Sequence, residues 1–62
     1  MIKDTFVTDV MYGEDYIIIS WVNKNLGFGE VVCDNQWKVV DDERMGKQFC
    51  KLVIKKAKNF VA

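Results

Sequence analysis

Apolar residues recur at every second position through the first two thirds of this chain and at helical spacing through the last third. Residues 16–22 (Tyr16, Ile17, Ile18, Ile19, Ser20, Trp21, Val22) are β-branched or aromatic on both alternating faces, which predicts a central strand rather than an edge. Residues 27–33, running from Gly27 and Phe28 to Val31, Val32 and Cys33, predict the next strand, joined to the first by the loop Asn23, Lys24, Asn25, Leu26. Asp34, Asn35 and Gln36 form a short polar turn, and Trp37, Lys38, Val39 and Val40 are expected to form a further strand. Residues 5–12 have strand-like composition, and Gly13, Glu14 and Asp15 could turn them back onto residues 16–22.

From Arg44 to Val61 the period changes. At about 100° per residue, Arg44, Lys47, Lys51, Lys55 and Lys58 fall within a sector of roughly 80°. Met45, Phe49, Leu52, Val53, Ala57 and Phe60 occupy the opposite side, widened by Cys50, Ile54 and Val61. Lys56 is the one charge on that side, close enough to the end to reach water. Asp41, Asp42 and Glu43 precede the segment, where carboxylates favour a helix N-terminus, and Asp41 or Asp42 can serve as its cap. An amphipathic helix over residues 44–61 is expected.

Together these elements predict one α+β domain over residues 1–62: an antiparallel sheet of three or four strands with one C-terminal amphipathic helix packed on one face. One helix covers one face of such a sheet, yet residues 16–22 are apolar on both. The helical apolar sector, about 200° wide, also exceeds the ~100° stripe needed to seat a helix. The excess predicts a homodimer, with Ile54, Val61 or the Trp21 face near its two-fold axis, or a patch for another partner.

Composition removes several function classes. The 62 residues contain no histidine, so Ser–His and Cys–His catalysis are impossible, and Glu14 with Asp15 needs no reading beyond a turn. Gly27 and Gly29 precede a strand, whereas glycine-rich phosphate loops open a helix. A non-enzymatic protein without cofactor or metal is expected. Two cysteines, Cys33 and Cys50, are too few for a disulfide scaffold and fit no zinc spacing. With no signal-like start and no apolar run of about 20 residues, the reading is a cytoplasmic protein with two packed thiols and no membrane contact.

Charge adds the sharpest asymmetry. Residues 1–43 hold all nine acidic side chains and three lysines, a net of −6, and residues 44–62 hold six basic side chains and no acid. Such a dipolar chain suits charged partners. An acidic surface of Asp9, Glu14, Asp15, Glu30 and Asp34, with Trp21 and Phe28 as aromatic anchors, could occupy a basic nucleic-acid groove on another protein. The alternative is direct nucleic-acid binding by Arg44, Lys47, Lys51, Lys55 and Lys58. It is weakened by the single arginine and the acidity of the remaining chain.

Three runs carry a resemblance: Ile19, Ser20, Trp21, Val22; then Gly27, Phe28, Gly29, Glu30; then residues 41–49 from Asp41 through Met45, Gly46 and Lys47 to Phe49. They resemble small, uncharacterised bacteriophage proteins with a Ser-Trp-Val, a Gly-Phe-Gly before a strand, and an acidic cap leading into a terminal helix. The resemblance covers about residues 16–62, and its motifs are structural. It implies a phage-type inhibitor that binds a host defence protein in the host cytoplasm, anti-CRISPR proteins being one such kind. It matches no particular anti-CRISPR family and assigns no functional residue.

Overall fold

A computed structural model describes residues 4–40 and 45–62. Its elements are β1 (Thr5–Tyr12), β2 (Tyr16–Asn23), β3 (Gly27–Asp34) and α1 (Lys47–Val61). The three strands form one antiparallel meander in the order β1-β2-β3, and α1 packs across one face, closest to β1. The expected α+β architecture is therefore present, with residues 5–12 as a full strand.

The two hairpins close for different reasons. Between β1 and β2 the Gly13 N–H donates to the Tyr16 carbonyl at 2.8 Å. Between β2 and β3 the Asn23 side chain organises the turn. Its Oδ1 accepts from the N–H groups of Asn25 (2.8 Å) and Leu26 (2.9 Å), while its Nδ2 donates to the buried Thr5 hydroxyl across the strand pair at 2.8 Å. The turn then exits through Gly27 at φ 94°, a left-handed conformation that an L side chain resists.

Both faces of β2 are apolar, so alternation alone does not choose the side that meets the helix. The structure buries Ile17, Ile19 and Trp21 with Val31 and Cys33 of β3, against Phe49, Cys50, Val53, Ile54 and Ala57 of α1. Val7 and Val10 join this core from β1, although strict alternation would place residues three apart on opposite faces. The register shift between Val7 and Asp9 inserts Thr8 as an extra residue, which returns Val10 to the core side.

Two expectations change here. Residues 37–40 do not form a strand: Trp37 sits at φ 64°, outside the extended region, and only Val39 bridges to Cys33. The segment stays beside β3 through that bridge and a 2.9 Å bond from the Val40 N–H to the Val32 carbonyl. The helix also begins later than expected. Gly46, at φ 84°, occupies the N-cap position without a side-chain cap, and no acidic residue stands in the first turn. The expected cap at Asp41 or Asp42, and Arg44, lie outside the described residues. Among those described, no helix is long and apolar enough to cross a membrane.

Candidate functional site

Residues paired across strands point to the same side of the sheet, so the register defines the face that α1 leaves open. Phe6, Val22 and Phe28 form one row across β1, β2 and β3. Asp9, Ser20 and Glu30 form the next, then Met11, Ile18 and Val32, with Tyr16 beside Asp34 at the end. Each row spans about 10 Å and successive rows stand about 7 Å apart. The face is thus two apolar bands separated by a polar band that ends in a carboxylate on each side.

Its apolar side chains are open to water. Phe28 is 81% exposed, Phe6 62%, Met11 56% and Tyr16 50%, and Val40 beside Val32 is 53% exposed. A shallow concavity lined by Thr8, Ser20, Val22, Leu26, Gly27, Phe28 and Glu30 lies at the β2–β3 turn end of the face. No lysine or arginine stands in any of these rows.

The expected acidic surface divides in two. Asp9 and Glu30 flank the polar band, while Glu14, Asp15 and Asp34 gather at the far end, where Asn35 Nδ2 donates to the Glu14 carbonyl at 3.1 Å. The Asp34 carboxylate is committed locally: Oδ1 accepts from the N–H groups of Gln36 (2.8 Å) and Lys38 (2.9 Å). The hydrogen bond from Lys38, with that from Gln36, holds its pKa below the usual carboxylate value despite an opposing desolvation effect.

Of the two expected aromatic anchors, only Phe28 is available. Trp21 is 4% exposed and packs edge-on to Phe49 with ring centroids 4.8 Å apart. Of the positions expected near a two-fold axis, Trp21 and Ile54 are enclosed by the helix–sheet packing, whereas Val61 is exposed at the end of α1 beside exposed Phe60. Further exposed apolar surface lies on the opposite face, at Phe6, Met11, Tyr16 and Val22, which composition could not locate because both faces of β2 read alike.

The basic stripe reaches a second surface. Lys47, Lys51, Lys55 and Lys58 are exposed on α1, and Lys47 and Lys51 border a cleft with Trp37, Lys38, Val39 and Ile54. Lys58 Nζ lies 5.8 Å from the Trp37 ring centroid, and the Tyr12 ring meets Trp37 edge-on at 6.4 Å. Lys56 reaches the start of β1, with Nζ 6.0 Å from the Phe6 centroid. Trp37 was readable as a strand residue in sequence, and nothing there signalled its place beside the helix lysines.

Neither cysteine forms a disulfide, and both are buried. Burial pushes the Cys33 thiol pKa up, with nearby Asp34 adding to the rise and Lys58 opposing it. Among the described residues, no three His, Cys, Asp or Glu side chains come together as a metal-holding group. No known family, curated protein or solved structure matches the chain at a significant level.

Proposed function

We propose that this chain is a non-enzymatic binding protein that docks its open sheet face on a basic, nucleic-acid-handling protein and blocks that protein's site. The carrying observation is the alternation of rows on that face, in which Asp9 and Glu30 stand between the Phe6–Val22–Phe28 and Met11–Ile18–Val32 bands. A complementary partner presents apolar side chains around lysine or arginine, which is the make-up of a surface that grips nucleic acid. The apolar bands supply affinity, and the carboxylates select the partner and speed encounter.

The same rows argue against two copies meeting face to face. A two-fold axis through the polar band would bring four carboxylates together in a closed interface with no cation in the rows to pair them. Burying unpaired charge costs several kcal/mol per ion. A different, basic partner avoids that cost.

Size is consistent with this use. The molecule is a slab with principal extents of 32 × 25 × 15 Å. Its broad side is on the order of the 800 Å² per partner that a standard interface buries. The resemblance to phage proteins adds a setting, a host defence protein of the kind anti-CRISPR proteins inhibit. The test is capture of a partner from bacterial lysate by the immobilised chain, repeated with Phe28→Ser and Glu30→Lys together. A partner that carries a nucleic-acid site, loses its nucleic acid on binding and is not retained by the double variant supports the reading. Equal retention by both proteins would overturn it.

A further inference from the structure

The cleft on the helix side has a chemistry of its own, independent of the open sheet face. It is lined by Trp37, Val39 and Ile54 together with Lys38, Lys47 and Lys51. Its open volume is about 370 Å³, within the range of sites that admit a ring-sized group. We propose that this cleft binds single-stranded nucleic acid, with a base lodged against Trp37, Val39 and Ile54 and the flanking phosphates on Lys38, Lys47 and Lys51.

Three observations converge on that ligand class. First, among the described residues the lining side chains offer hydrogen-bond donors and no acceptor: three ammonium groups and one indole N–H, beside two aliphatic chains. A phosphodiester backbone brings acceptors alone and is satisfied there. An acidic peptide would bring one amide N–H per residue, and the described lining has no side-chain acceptor for it. Second, Lys47 and Lys51 stand one helical turn apart, about 6 Å along α1, with Lys55 and Lys58 continuing the series. A repeating polyanion uses such a series better than a single carboxylate does. Third, an aromatic side chain beside cations is the recurring arrangement of sequence-tolerant single-strand binders, where bases stack on the ring and phosphates meet the cations. Among the described residues the cations lining the cleft are lysines, which meet phosphates as point charges rather than read base edges bidentately.

The Trp37 backbone fits a positioned lining residue. A bulky side chain at φ 64° is uncommon and persists only where its surroundings hold it. The loop holds it there through the Asp34 carboxylate bonds, a Trp37 N–H to Asp34 carbonyl bond of 3.0 Å and an Asp34 N–H to Lys38 carbonyl bond of 2.8 Å. The result is an indole set beside Lys58 and at the edge of the helix cleft.

The experiment is fluorescence anisotropy of a labelled 20-nucleotide oligo-dT with the full chain at 50 and 200 mM salt. Three lining lysines predict a log–log salt slope of about −2, an affinity loss of roughly 20-fold over that range. Lys47→Gln with Lys51→Gln should make the slope shallower by about 1.4 and weaken binding at least tenfold at 50 mM salt. Trp37→Asn, a residue that tolerates left-handed φ, should weaken binding at least fivefold with the slope unchanged. Phe28→Ser should leave binding as it is. No complex at 100 µM protein in 50 mM salt would overturn the proposal. So would binding insensitive to both sets of cleft substitutions in variants with native circular dichroism, or tighter binding of an oligoglutamate peptide than of oligo-dT.

Discussion

The Trp21 indole occupies the space that a side chain on Gly29, its cross-strand partner, would need. A Cβ built on Gly29 would stand 2.7 Å from Trp21 Cζ2 and 3.1 Å from Cε2. Phe49 packs edge-on against the same indole, so the ring has little room to yield. This large–small pairing helps select the helix-facing side of β2, because Trp21 can lie flat on β3 only where β3 has no side chain.

Gly29→Ala should therefore destabilise the fold. Removing a glycine from a strand would by itself gain about 0.4–1 kcal/mol through the unfolded chain. Overpacking a rigid core costs about 1–3 kcal/mol and outweighs that gain. Urea denaturation should show a lower midpoint at unchanged slope. A midpoint at or above wild type would show that the indole moves aside freely.

Asn23→Ala should cost about 1–3 kcal/mol, because it removes the acceptor for the Asn25 and Leu26 amides and strips the fully buried Thr5 hydroxyl of its donor. In a chain of this size that loss lowers the melting temperature by roughly 4–8 °C per kcal/mol. Asn23→Asp keeps the acceptor and loses the donor, so its melting temperature should fall between the two.

The Asp34 loop predicts an acid effect. A carboxyl whose pKa is lower folded than unfolded stabilises the fold above its unfolded value, and that contribution is lost as pH falls through the folded value. Thermal melts of wild type should thus lose stability below the ordinary carboxylate range. Asp34→Asn retains an Oδ1 acceptor for Gln36 and Lys38 and should lose less on acidification. Asp34→Ala should be less stable than either at pH 7. Identical acid profiles for wild type and the Asn variant would remove this role.

Cys33 and Cys50 are 0% and 2% exposed, and burial raises the Cys33 pKa further from neutrality. A thiol reagent at pH 7.5 should react with both only at the rate of opening, and fast in 6 M guanidinium. Rapid labelling of the native protein would contradict the packing described for Val53, Ala57 and their neighbours.

How much of this could be read in sequence depends on the element. The β2 alternation and the α1 wheel rest on local periodicity, and both elements appear with nearly the expected bounds. The late helix start follows from one backbone angle at Gly46, and the loss of a strand at residues 37–40 from another at Trp37. Strand propensity does not register such angles. The lysine stripe was legible as a stripe, but its meeting with Trp37 and Lys38 depends on how the segment after β3 lies beside α1. Carboxylates show the same divide: Asp9 and Glu30 share a row through the strand register, whereas Asp34 is engaged by its own loop.

Binding of a basic protein to the open sheet face, as proposed, draws on its apolar bands and the carboxylates between them. The most direct measurement is calorimetric titration of the captured partner with wild type and with Phe28→Ser combined with Glu30→Lys. Both positions are exposed, so the variant should melt within a few degrees of wild type. At least a 100-fold loss of affinity is expected in a variant that retains its fold. Unchanged affinity in that folded variant would place the interface elsewhere on the molecule.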